Sequence, residues 1–118
     1  MAYTKKLSPR LDRWDTGSYK NMARNPGVYL LIREEEDGVG FVGRSDTDVI
    51  SQIKHIHMPH EDGRRPYLFV RYRNCSSVVE AFEWECRYWH KESPADNSEV
   101  HPFTPADEDG LSCPVCAE

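Results

Sequence analysis

The chain has 118 residues, 38% of them hydrophobic and 30% charged, which suits one modest core and not two. No apolar run approaches the about 18 residues of a membrane span, and Met1 to Lys6 lack the apolar stretch of a signal peptide. The expectation is a single-domain cytoplasmic protein with no membrane partner. A net charge of −5 argues against nucleic acid as a partner until its distribution is considered. Residues 92–118 hold seven acids and no Lys or Arg, leaving 15 bases against 13 acids in residues 1–91. A mildly basic body that permits contact with nucleic acid is followed by an acidic tail.

Residues 1–25 form a basic, polar arm, with Trp14 and Tyr19 as its large anchors and a short helix expected from Ser18 to Arg24, stopped by Asn25-Pro26. The aromatics would lay the arm over the core; alternatively Lys5, Lys6, Arg10 and Arg13 would meet nucleic acid. Pro26 to Gly43 reads as a β-hairpin. Val28, Leu30 and Ile32 alternate with Tyr29, Leu31 and Arg33, Glu34 to Gly38 make an acidic turn, and Gly40 and Gly43 bracket a second strand. Facing strands bring Tyr29 near Phe41 if the register pairs them.

Arg44-Ser45-Asp46-Thr47-Asp48 has the hydroxyls and carboxylates of a helix start. Val49, Ile50, Ile53 and Ile56 then recur at helical spacing until Pro59, leaving Ser51, Lys54, His55 and Met58 on another face. His55, His57 and His60 straddle the helix end at spacings that rarely converge on a metal. Tyr67 to Arg73 is a third strand, with Tyr67, Phe69, Arg71 and Arg73 on one face, a mixture of rings and cations suited to covering a helix or stacking on bases. Ser77-Val78-Val79-Glu80 is a capping box opening a helix from Val78 to about Lys91. Val79, Phe82, Cys86 and Trp89 form its stripe. Glu85 stands at the stripe's border one turn after the small Ala81, with room to point into a cleft.

Four cysteines in a chain with no export signal read as thiols or metal ligands. Cys113-Pro114-Val115-Cys116 is half of a zinc ribbon. Cys86 and His90, four apart on one helix face, would complete a Cys₃His set with Cys113 and Cys116; His101 in place of Cys86 would give Cys₂His₂. Cys75 reads as a core thiol. A structural zinc would clip a tail that is poor in apolar anchors onto the domain; without it the acidic composition predicts disorder.

The order strand, strand, helix, strand, helix, with Gly27-Val28-Tyr29, Phe41-Val42-Gly43-Arg44-Ser45 and Glu80-Ala81 followed by Glu85, resembles the GIY-YIG nuclease family over residues 26–91. The resemblance implies an α+β fold, a small three-stranded, mostly antiparallel sheet flanked by helices. It also implies metal-dependent DNA cleavage, by family analogy in repair or processing. Tyr29 then matches the first-triplet tyrosine that helps deprotonate water, Arg44 the basic residue after the second triplet, His55 the histidine ending the first helix, and Glu85 the ligand of a catalytic Mg²⁺ or Mn²⁺. Two positions depart from the pattern. Phe41 keeps the ring of the second-triplet tyrosine without its hydroxyl, and the family's helix arginine aligns with Ser51. Lys54, one turn on and on the same helix face, or Arg44 would supply the charge instead, although an ammonium lacks the guanidinium fork, and Phe41 and Lys54 would meet the substrate. The alternative expectation is a catalytically impaired nucleic-acid- or protein-binding module on the same fold.

Overall fold

The computed structural model describes residues 7–8, 11–12, 25–33, 38–55, 67–105 and 110–116. They form β1 (Leu11–Asp12), β2 (Gly27–Ile32), β3 (Phe41–Ser45), α1 (Val49–His55), β4 (Phe69–Asn74) and α2 (Val78–Glu92). The class is α+β. Strands β2, β3 and β4 make a small antiparallel sheet with two helices, to which the two-residue β1 adds an edge in the order β1-β4-β2-β3.

Central β2 is buried along its whole length because each face carries a helix. Tyr29 and Leu31 join Val49, Ile50 and Ile53 of α1, with Val70 and Tyr72 of β4, in one core. Val28 and Leu30 join Val42, Cys75, Ala81 and Tyr88 on the α2 side, so the period-two alternation separates two apolar layers. The cation-bearing face of β4 covers a helix: the Arg73 guanidinium lies 3.7 Å from the centre of the Trp84 ring.

The arm meets the sheet through its backbone. Ser8 N–H donates to the Tyr72 carbonyl at 2.7 Å, the Ser8 hydroxyl accepts from Tyr72 N–H at 2.9 Å, and Leu11 and Asp12 pair with Val70 and Phe69. Trp14, Tyr19, the expected helix at Ser18–Arg24 and the arm's cations Lys5, Lys6, Arg10 and Arg13 lie outside the described residues, as do Ile56, His57, Met58 and His60.

Ser77 caps α2, its hydroxyl accepting from Glu80 N–H at 3.1 Å, while the Glu80 carboxylate reaches back one residue further than a capping box requires, to Ser76. Replacing Ser77 by alanine is expected to cost about 1 kcal/mol in urea unfolding. At the other end Ser93 takes a left-handed φ of 45° and its N–H closes on the Trp89 carbonyl at 3.1 Å.

Beyond this cap the tail runs along β3. Ala95 N–H donates to the Val39 carbonyl and Asp96 N–H to the Gly40 carbonyl. The Asn97 side chain then clasps Val42 twice, donating to its carbonyl at 2.9 Å and accepting from its N–H at 3.3 Å. Trp89 Nε1 donates to the Asn97 carbonyl at 2.8 Å. Arg33 pairs with Asp96 at 2.6 Å under the Tyr67 ring, and the Tyr67 hydroxyl also bonds Asp96. The tail is thus docked by polar contacts where apolar anchors are few. Among the described residues, no helix is long and apolar enough to cross a membrane.

Candidate active site and metal centre

Register places Tyr29 opposite Gly43, with Phe41 opposite Leu31. Tyr29 and Phe41 are therefore diagonal neighbours rather than a direct pair, and their rings stack with centroids 6.2 Å apart. A Cβ on Gly43 would collide with the Tyr29 ring and hydroxyl. The lack of a side chain at Gly43 is what lets this ring lie across β3.

Tyr29, Phe41, Gly43, Arg44, Asp46 and Glu85 line one open pocket of about 430 Å³ at the β3 edge of the sheet. The tail completes it with Asn97, Val100, His101, Pro102 and Phe103. Glu85 lies within the buried stripe of α2 rather than at its border, and is 9% exposed. Its Oε1 accepts from Arg44 Nη1 at 2.8 Å, and among the described residues its Oε2 has no hydrogen-bond donor. Burial pushes the Glu85 carboxyl up to about 7 against the opposing pull of Arg44, with Asp46 adding to the rise.

Arg44 is held from three sides. Beside Glu85 it reaches Asp46 through Nε at 2.6 Å, and Nη1 also donates to the Phe103 carbonyl at 2.7 Å. Among the described residues, one guanidinium thus faces two carboxylates in this pocket. Burial also raises Tyr29, opposed by a hydrogen bond with Gln52 and reinforced by Glu85, so at neutral pH its hydroxyl is a proton donor. Lys54 and His55 fall in the last turn of α1; their side chains lie outside the described residues. Ser51 N–H donates to Asp48 Oδ1 at 3.1 Å, in the cap that starts the helix.

Four ligand atoms converge beside this pocket. His90, His101, Cys113 and Cys116 each offer one, all within 4.8 Å of one another, a group able to hold a metal ion. His90 Nε2 is 3.4 Å from each of the Cys113 and Cys116 sulfurs, and His101 Nε2 is 3.7 Å from Cys116 Sγ. Burial pushes Cys113 up, but hydrogen bonds from the Cys116 N–H and from His101 outweigh it and bring the thiol down to about 6.

Cys86 stands outside this group of four. It is fully buried with Phe82 and Cys113, and burial together with its hydrogen bond to Cys113 holds it well up as a thiol. His101 occupies the corresponding place because the tail folds back over Trp89, whose ring meets both histidines edge-on. Cys75 is a fully buried thiol of the α2-side core.

Sequence reasoning missed Asp46, Gln52 and Asn97. Asp46 carries a signal, as an acid two residues after Arg44 within the stretch that starts the helix. Gln52 is one helical residue among several with no mark of its contact with Tyr29, and Asn97 carries no local mark of its pairing with a strand 55 residues away. Comparison of the chain with protein-family models, curated proteins and solved structures finds no match.

Proposed function

We propose that the protein is a metal-dependent endonuclease of GIY-YIG type acting on DNA, with a role in its repair or processing. The observation that carries this reading is the meeting of Tyr29, Arg44 and Glu85 in one pocket. The hairpin and α2 bring them there from positions far apart in the chain, and they match the family's residues by type and order.

The carboxylates of Glu85 and Asp46 suit a hard divalent cation, since among the described residues Glu85 Oε2 is unengaged and both acids share the Arg44 guanidinium. Glu85 and Asp46 would hold Mg²⁺ or Mn²⁺, and the chemistry such an ion would supply is Lewis acidity toward a phosphate and toward water. Arg44 contributes fixed positive charge toward the developing phosphorane. Tyr29, poised against Gly43, orients water through its hydroxyl, and Phe41 supports the ring.

The second group is a structural zinc site. Bond lengths of about 2.3 Å to sulfur and about 2.0–2.1 Å to nitrogen give tetrahedral N···S edges of roughly 3.6 Å. Three of the four N···S edges, at 3.4, 3.4 and 3.7 Å, bracket that value, and all four ligand atoms lie within 4.8 Å of one another. Two thiolates with two imidazoles form a closed set, which suits cross-linking rather than catalysis. Metal analysis is expected to return one zinc per chain, and none after Cys113→Ser.

The competing reading is a non-catalytic nucleic-acid- or protein-binding module. It is favoured by the engagement of Arg44 with Glu85, Asp46 and the Phe103 carbonyl, and by Ser51 at the arginine position. Nicking of supercoiled plasmid DNA with Mg²⁺ or Mn²⁺ separates the two. Wild type is expected to cut and Glu85→Ala to lose about a hundredfold or more in rate. Binding without cleavage in either protein would favour the module.

A further inference from the structure

We propose that His101 is a positioning residue: through the metal centre it fixes the tail wall of the pocket against Arg44. This rests on the reading of the four-residue group as a zinc site. The wall is the stretch from Asn97 to Phe103. At its start Asn97 is locked to Val42 by two side-chain hydrogen bonds and to Trp89 by a third. At its far end the Phe103 carbonyl accepts from Arg44 Nη1.

Between these points the wall has little apolar hold on the body, because Val100 is 52% and Phe103 74% exposed. His101 lies at the middle of the span and is the one wall residue in the metal-binding group. Its other ring nitrogen, Nδ1, lies 2.9 Å from the Pro102 carbonyl, tying the imidazole to its own backbone. Such a contact orients a ligating histidine.

Coordination of Nε2 therefore fixes the backbone two residues before the carbonyl that Arg44 uses. Cys113 and Cys116 bring the knuckle, and His90 brings α2, so the ion joins the wall to the helix that carries Glu85. With the ion in place the wall is closed on Arg44. Without it the wall pivots on Asn97, and Arg44 loses one of its three acceptors. Metal occupancy at one centre thereby sets the shape of the other and the hydrogen bonding of Arg44 within it.

The test uses the full chain in three states: zinc-loaded, stripped by a chelator, and reloaded with Zn²⁺ alone. Backbone amide exchange is followed at residues 98–101 and 103, and the Arg44 side-chain Nε–H resonance by NMR. Stripping, or His101→Ala, is expected to speed exchange in the wall by about tenfold or more and to shift the Arg44 signal, while β2, β4 and α2 stay protected. His101→Cys supplies a replacement thiolate and is expected to restore both readouts once zinc is added.

The proposal is overturned if the chain takes up no zinc, if wall exchange and the Arg44 resonance are the same with and without it, or if His101→Ala retains both. None of these readouts depends on cleavage. A protein that shows the coupling but never cuts DNA would sink the nuclease reading and uphold this one.

Discussion

Replacing Gly43 by alanine is expected to destabilise the protein by about 1–3 kcal/mol, and by valine more, because the new methyl must displace a packed aromatic ring. Tyr29 is 5% exposed and belongs to the core shared with α1, so it has little freedom to yield. The Tyr29 ring and hydroxyl occupy the space that the Cβ would take. Urea unfolding of Gly43→Ala, alone and combined with Tyr29→Leu, measures the effect. The double mutant is expected to suffer less from the added methyl than the single mutant does. Equal penalties in both backgrounds would show that the glycine is not there for the ring.

The second large effect is a pH dependence written by Glu85. Its folded carboxyl titrates at about 7, against an ordinary value of 4.5. Between those values the native state holds a proton that the unfolded chain has released. The stabilisation is therefore fully present below pH 4.5 and is lost as pH rises through 7, amounting to about 3 kcal/mol. Glu85→Gln keeps the shape and the hydrogen bond from Arg44 but removes the titration. Its stability profile between pH 4.5 and 8 is expected to be flatter than that of wild type, and the variant more stable at pH 8. Arg44, Asp46, His101 and Tyr29 surround the carboxyl, so urea midpoints for both proteins across this range isolate the Glu85 contribution. Parallel profiles would mean that the carboxyl is ionised throughout.

Periodicity made the regular elements legible. The alternation from Val28 to Arg33 and the spacing through Val49, Ile50 and Ile53 are local patterns, and the burial that produces them is local too. Ser77 and Glu80 marked the start of α2 because capping chemistry is written in adjacent residues. The gathering of Tyr29, Arg44 and Glu85 was different, since no periodicity joins residues up to 56 positions apart; it was suggested by a resemblance of short motifs in order.

What could not be read were contacts fixed by register and by the tail. Whether Tyr29 faces Gly43 or Phe41 depends on a two-residue shift of pairing, which keeps every side chain on its face and which Gly40 and Gly43 leave open in sequence. The tail has neither a helical nor a strand repeat. Its course is set by single polar contacts, Asp96 with Arg33 and Asn97 with Val42, that any surface Asp or Asn is chemically able to make. The choice between Cys86 and His101 turned on the same fold-back: a tail crossing Trp89 delivers the imidazole to the open sulfurs, while Cys86 remains beneath them among apolar side chains.

The tail's seat on β3 has a consequence for where the folding unit stops. Residues 95–97 take up hydrogen-bonding groups on Val39, Gly40 and Val42 that would otherwise border the sheet on that side. A fragment cut after Glu92 would keep both described helices and all four described strands, yet it would bare this rim as a template onto which another chain could add a strand. Self-association, rather than a smaller working domain, is the expected fate of such a fragment, and the unit to express extends through Cys116.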